Sequence, residues 1–211
     1  METLENKYQH KGTALSQAKH ALIMIHGRGA SPAGILSLAD YLPLPDDTAV
    51  LAPEADQHSW YPASFIAPVD VNQPALDQGL ELIGQLVNKI LAAGIPMHEI
   101  YFLGFSQGAC LTLEYVSRNA AKYAGVIAFT GGLIGQELAL KNYQGDFEQT
   151  PILITTSNPD SHVPFKRVKE SGEQLESMNA KVRVVAYPGK QHNITDEEIE
   201  LAGRVIFKKM C

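Results

Sequence analysis

Gly104-Phe105-Ser106-Gln107-Gly108 follows an apolar run ending at Leu103 and precedes a helical pattern over Ala109–Asn119. A serine with glycines two positions away on each side, between a strand and a helix, sits in a sharp and strained turn. That turn holds up its hydroxyl as a nucleophile. The following helix N-terminus favours the negative charge that an attacked carbonyl develops. Such a serine needs a base, and the base needs a carboxylate to orient it.

Both partners can be placed from the strands that must carry them. Candidate strands are Leu22–His26, Ala49–Ala52, Ile100–Leu103, Gly125–Phe129, Ile152–Thr156 and Val182–Tyr187, with a weaker edge strand near Tyr8–Lys11. Most are near-continuous apolar runs, as in a parallel sheet covered on both faces. Helical patterns alternate with them. Ser31-Pro32 reads as N-cap and first-turn proline, with Ile35, Leu38, Ala39 and Leu42 on one face. Pro74 opens a helix carrying Leu76, Leu80, Ile83, Val87 and Ile90. Pro164 opens another, with Phe165, Val168, Leu175 and Met178 inward. Thr195 and Glu198 form a capping box before Ile199, Ala202 and Val205 or Ile206, and Lys208 and Lys209 suit the far end of that helix. This alternation predicts a doubly wound, mostly parallel α/β sheet in one domain over residues 1–211. Its ligands bind at the carboxyl ends of the strands.

Asp160 follows the next-to-last strand and His192 the last, so both fall on the same sheet edge as Ser106, in the chain order Ser, Asp, His. Asp146 lies at the wrong end of its strand. Asp196 falls in the first turn of the last helix. His162 reads as a rim residue, and His10, His20 and His98 as solvated histidines. After the first long strand comes Ile25-His26-Gly27-Arg28-Gly29-Ala30-Ser31. The backbone N–H of Arg28 and that of Gln107 are expected to form an oxyanion hole. His26 itself is expected to be buried and locally hydrogen-bonded. The Arg28 side chain is expected to reach the rim and attract anionic substrate.

Composition excludes several other classes. The 211 residues carry 45% hydrophobic and 19% charged side chains and a net charge of -6, with no basic run, against binding to nucleic acid or anionic membrane. No apolar stretch approaches the roughly 20 residues of a bilayer span, and no signal-peptide core is seen at the N-terminus. The two cysteines, Cys110 and Cys211, do not make a disulfide framework, so a cytoplasmic setting is expected. Gly27–Pro32 lacks the third glycine of a dinucleotide fingerprint, no phosphate-binding loop motif occurs, and His192 with Asp196 has no third metal ligand. No metal or cofactor is implied.

The combination of His26-Gly27-Arg28-Gly29, Ser59-Trp60-Tyr61, Gly104–Gly108, Asp160-Ser161-His162-Val163-Pro164 and His192 resembles the phospholipase/carboxylesterase family of small α/β-hydrolases, which includes acyl-protein thioesterases. The resemblance runs from about Ala21 to Phe207. It implies an α/β-hydrolase fold, a Ser106–His192–Asp160 triad, and oxyanion donors at Arg28 and Gln107; the shortness of the chain predicts no cap domain. It also implies that Trp60 and the loop Leu133–Gly135 border the acyl site. Thioesterase members commonly carry an acidic residue after H-G-x-G; here that position is Ala30. Dienelactone hydrolases, with cysteine at the elbow, are less similar, and Cys110 falls inside the helix instead. The implied substrate is a small carboxylic ester, with acyl-thioester or lysophospholipid as alternatives. A hydrolase fold serving as a small-molecule receptor is the non-enzymatic alternative.

Overall fold

The computed structural model describes residues 4–207; Lys208, Lys209 and Cys211 lie outside them. Seven strands form one sheet: β1 Tyr8–Gly12, β2 His20–Ile25, β3 Thr48–Pro53, β4 Ile100–Phe105, β5 Gly125–Phe129, β6 Pro151–Asn158 and β7 Lys181–Pro188. Their order is β1-β3-β2-β4-β5-β6-β7. The edge strand β1 pairs antiparallel with β3, and every other pairing is parallel. All seven expected strands are present, most of them longer than the sequence indicates by one or two residues at an end.

Strand β2 shows why the sheet must be covered twice. Ala21, Ile23 and Ile25 pack into one core cluster, and Leu22 and Met24 into another. Side chains alternate across a strand, so an unbroken apolar run needs an apolar layer on each face. Helices α2 Ala75–Ala92, α3 Gln107–Arg118 and α4 Phe165–Ser177 supply the first layer. Helices α1 Pro32–Leu36 and α5 Asp196–Val205 supply the second. The helix starts follow the sequence signals. Ser31 Oγ accepts from the Gly34 amide, and Thr195 and Glu198 close a reciprocal capping box. Helix α1 is shorter than its pattern suggests and passes into a 3₁₀ turn over Ser37–Tyr41.

The elbow after β4 is the tightest place in the fold. Ser106 has φ 53° and ψ -118°, a conformation an L-residue holds only when its surroundings force it. A Cβ on Gly108 would stand 2.1 Å from the Ile25 carbonyl oxygen, and one on Gly104 would stand 2.3 Å from the Gly108 carbonyl oxygen. Only hydrogen fits at either position. Helix α3 can therefore start against β2, and the serine stands at the sheet edge.

His26, next along from β2, is fully buried. Its Nδ1 lies 2.8 Å from the Gly27 carbonyl oxygen and its Nε2 3.3 Å from the Ala55 amide. The Ala55 amide can only donate, so Nε2 accepts and Nδ1–H donates, which fixes a neutral ring. The Trp60 indole N–H donates to the His26 carbonyl oxygen at 2.8 Å, and the two rings pack 5.0 Å apart. The loops after β2 and β3 are joined at this residue, as its expected structural role requires.

Three outcomes follow. Gly108→Ala should cost about 3 kcal/mol or more, lowering Tm by roughly 6–12 °C, because backbone rather than a flexible side chain blocks the added methyl. Gly94→Asn, at a positive-φ position with open space around it, should stay within about 1 kcal/mol. Burial, against the weaker opposing effect of the Gly27 hydrogen bond, holds the His26 pKa below its ordinary 6.5. The unfolded chain then takes up a proton first as pH falls through 6.5, so stability falls with acid until the folded pKa is passed. Thermal melts across this range should show that slope in the wild type and a flatter one in His26→Asn.

Candidate active site

Three strand ends deliver the three predicted residues to one place. Ser106 leaves β4 through the elbow, and its amide donates to the Phe129 carbonyl oxygen at 2.9 Å, tying the turn to β5. Asp160 follows β6 and His192 follows β7. His192 Nε2 lies 2.8 Å from Ser106 Oγ, and His192 Nδ1 lies 2.9 Å from Asp160 Oδ2. These are hydrogen-bond distances along one continuous line of groups. Ser106 and His192 are half-buried, whereas the Asp160 side chain is only 1% exposed.

The carboxylate is held from both sides. Asp160 Oδ1 accepts from the amides of His162 and Val163 at 2.8 and 2.9 Å, leaving Oδ2 for His192. Burial pushes the Asp160 pKa up. The hydrogen bonds from His192, His162 and Val163 outweigh it and hold the group below the ordinary carboxylate value of 3.8. Asp160 is thus ionised at neutral pH, and an ionised carboxylate can only accept. His192 must carry a proton on Nδ1, so in the neutral ring Nε2 is the bare nitrogen that faces Ser106. His162 itself is exposed at the rim, with its ring edge against His192 at 5.1 Å.

A buried ion pair fixes the His192 loop. Lys190 Nζ lies 3.2 Å from Glu198 Oε2, with the two side chains 7% and 0% exposed. The same ammonium donates to the Asn193 carbonyl oxygen at 2.5 Å, so it straddles His192 along the chain. Glu198 also accepts from Thr155 Oγ1 and from the Thr195 amide, which ties the loop to β6 and to α5. The capping box was legible in the sequence, but its service to His192 was not. The one available signal was a lysine and a capping glutamate flanking the histidine.

The segments on either side of Ser106 are pinned by side chains rather than by regular structure. Residues 54–74 contain only the 3₁₀ turns Asp56–His58 and Val69–Asn72, and residues 130–150 only Leu140–Asn142. Among the described residues no helical cap covers Ser106. Arg167, buried in α4, donates to the carbonyl oxygens of Leu133, Gly135 and Gln136. Buried Glu114 in α3 accepts from the Ile134 amide and from Tyr143 Oη at 3.1 Å each. The Gly135 amide donates to the Phe65 carbonyl oxygen at 2.7 Å and joins the two segments. Sequence reading missed Arg167 and Glu114, since their partners are backbone atoms distant along the chain.

Two expectations need correction. The exposed Arg28 side chain is bound rather than free. Its Nη1 donates to the Pro62 carbonyl oxygen at 2.7 Å, and its Nη2 to those of Tyr61 and Ala63 at 3.0 and 2.7 Å. A guanidinium fork meeting three converging carbonyls is a clamp on that loop. Trp60 and Leu133, expected to border the acyl site, are core residues, 3% and 0% exposed. Trp60 is held by the His26 carbonyl oxygen, and the Leu133 amide donates to Ser171 Oγ at 2.8 Å. Leu133 is sealed from solvent, while Trp60 also lines a cavity beside Ser59 and Tyr61.

Gln107 is the first residue of α3, where an amide has no partner inside the helix. Its side chain reaches the same loop as Arg28: Nε2 donates to the Tyr61 carbonyl oxygen at 2.7 Å, and Oε1 accepts from the Trp60 amide at 3.0 Å. The Tyr61 carbonyl is therefore held by both residues expected to supply oxyanion donors. Cys110, four residues after Ser106, is buried, and burial pushes its thiol up to about 12, so it is no nucleophile at neutral pH. The described residues contain no cluster of three or more His, Cys, Asp or Glu suited to a metal ion. None of the described helices is long and apolar enough to cross a membrane.

The chain is similar to known proteins along most of its length. A family model described as phospholipase/carboxylesterase matches residues 13–209. The crystal structure of a phospholipase/carboxylesterase from Dyadobacter fermentans is 57% identical, with a TM-score of 0.94 over 95% of this chain and 96% of that one. A probable carboxylesterase, SOBER1-like, from Arabidopsis thaliana is 27% identical over 147 residues, which are 67% of this chain and 55% of that protein. Acyl-protein thioesterase 1 homolog 1 of Dictyostelium discoideum is 26% identical over 224 residues, covering 98% and 97%. The chain spans about half the length of the plant carboxylesterases it matches. With its seven-stranded sheet, its strained serine elbow and a family match over nearly all of its length, the chain belongs to the phospholipase/carboxylesterase family of α/β-hydrolases.

Proposed function

We propose that this protein is a serine hydrolase of small carboxylic esters, working through Ser106, His192 and Asp160. The observation that carries this reading is the unbroken line from Ser106 Oγ through both ring nitrogens of His192 to Asp160, at 2.8 and 2.9 Å. Ser106 Oγ attacks the ester carbonyl carbon while His192 Nε2 takes its proton. Asp160 keeps the imidazole in the required tautomer and stabilises the imidazolium without taking the proton itself. Negative charge develops on the carbonyl oxygen, where the amides of Arg28 and Gln107 donate. One such donor is typically worth roughly 3–4 kcal/mol. His192 then hands the proton to the departing alcohol. Water, activated by the same imidazole, hydrolyses the acyl-enzyme and frees the acid and the serine.

With its guanidinium engaged by three carbonyls, the Arg28 side chain serves to hold the loop at residues 61–63 beside the proposed oxyanion site. The buried free thiol of Cys110 is in keeping with a cytoplasmic setting.

Ser106→Ala should lower kcat on p-nitrophenyl acetate by about 10⁵–10⁶-fold with an unchanged Tm. Retained turnover would overturn the assignment. A fluorophosphonate probe should label Ser106 stoichiometrically; folded protein that takes no label would be a receptor. Palmitoyl thioester hydrolysed faster than short esters would move the chain to thioesterase chemistry. Arg28→Met should lower kcat about 10-fold with little change in KM, equally on neutral and anionic esters, because the clamp positions a transition-state donor. A larger loss on anionic esters would restore substrate attraction as its role. Arg28→Lys, with a point charge instead of a fork, should recover only part of the loss.

A further inference from the structure

An apolar cavity of about 400 Å³ lies between α1 with its following turn and the start of α5. Its apolar walls include Ile35, Leu38 and Tyr41 on one side and Ile194 and Ile199 on the other, closed by Phe105. The volume falls in the range of small-ligand sites. It does not contain Ser106, but its walls come from the loops that build the site. Phe105 immediately precedes Ser106, Ala30 is two residues after Arg28, and Ile194 is two residues after His192. The Phe105 ring packs 5.4 Å from the His192 ring. Tyr41 is 70% exposed, an aromatic side chain left to solvent beside an apolar hollow.

We infer that this cavity is a subsite for an uncharged, apolar leaving group, the alcohol side of the ester. The inference rests on the esterase reading above. A tetrahedral intermediate at Ser106 directs its oxyanion to the amides of Arg28 and Gln107. Its leaving oxygen must lie beside His192 Nε2, which donates the proton. The cavity adjoins His192 through Phe105 and Ile194, so the group attached to the leaving oxygen is the one that reaches it. The chemistry of the walls sets the ligand class. They include no lysine or arginine, His26 is held neutral by its two hydrogen bonds, and the charged wall is the carboxylate of Asp196. An anionic leaving group has no partner there and meets a like charge. Alkyl or aryl groups gain by leaving water.

Two ester series on the purified full chain test this. One extends the alcohol of an acetate ester from ethyl to hexyl. The other extends the acyl chain of p-nitrophenyl esters over the same lengths. In the alcohol series kcat/KM should rise about 3–4-fold per methylene until the cavity is filled. Tyr41→Ser, at an exposed wall position, should flatten that rise and leave the slope of the acyl series as it was, with Tm unchanged; Leu38→Ser, which also removes a half-buried side chain packed on the core, should do the same at a lower Tm. A flat alcohol series in the wild type overturns the subsite, and so do variants that change only the acyl slope. Absence of turnover on both series, with no fluorophosphonate label on Ser106, would instead overturn the esterase reading itself.

Discussion

The contact between Gly108 and the Ile25 carbonyl is the constraint on which the site depends. With 2.1 Å available to any Cβ, α3 can start beside β2 only if glycine stands there. Once it does, β2, β4 and α3 are locked at one distance. The chain between β4 and α3 must then turn within a residue or two, and Ser106 takes the left-handed conformation at that turn. The strain is local, and buried residues of the adjoining strands, Ile25 and Leu103 among them, hold it in place. The same approach sets β2, and with it the Arg28 loop, beside the helix that begins at Gln107. Nucleophile and proposed oxyanion donors are thus placed by one packing decision.

Base and carboxylate are positioned by different physics. They follow β6 and β7, on the half of the sheet away from β2. Backbone amides of His162 and Val163 hold the Asp160 carboxylate, and buried charge holds the His192 loop. Lys190 and Glu198 have left water, and an unpaired member of such a pair is strongly unfavourable. Each is satisfied only in one arrangement: the ammonium by Glu198 and the Asn193 carbonyl, the carboxylate by Lys190, Thr155 and Thr195. That requirement converts a loop into a defined turn around His192. Ser157 adds a bond between the two loops, its hydroxyl lying 2.9 Å from the Pro159 carbonyl oxygen and 2.5 Å from that of Lys190.

What could be read from the sequence follows from how local each determinant is. Strand β2 and helix α2 announce themselves through the period of their apolar residues. The starts of α1 and α5 announce themselves through Ser31-Pro32 and Thr195 with Glu198. The order Ser106, Asp160, His192 is legible because a parallel sheet brings successive strand ends to one edge. The direction of the Arg28 side chain was not legible. Its partners are the carbonyls of residues 61–63, more than thirty positions away, and a carbonyl leaves no mark in a residue's identity. Trp60 and Leu133 are placed at the acyl site only by the family resemblance. Their burial depends on how their segments fold back, which is set by Arg167, Glu114 and Gln107 reaching across from other helices.

This division has a consequence for specificity. The segments flanking Ser106 toward α2–α4 are tied down by Arg28, Gln107, Glu114 and Arg167, and Trp60 and Leu133 inside them are buried in the core. The other sheet face, between α1 and α5, is not closed in that way. Helix α1 stops after five residues and gives way to a 3₁₀ turn that carries Leu38 and Tyr41, and Tyr41 is left exposed beside the cavity. A longer α1 with Leu38 driven into Ile199 would fill that hollow and bury more apolar surface. The short helix therefore gives up packing on the His192 side of the nucleophile. Lost packing beside a reacting group is space that a substrate can fill.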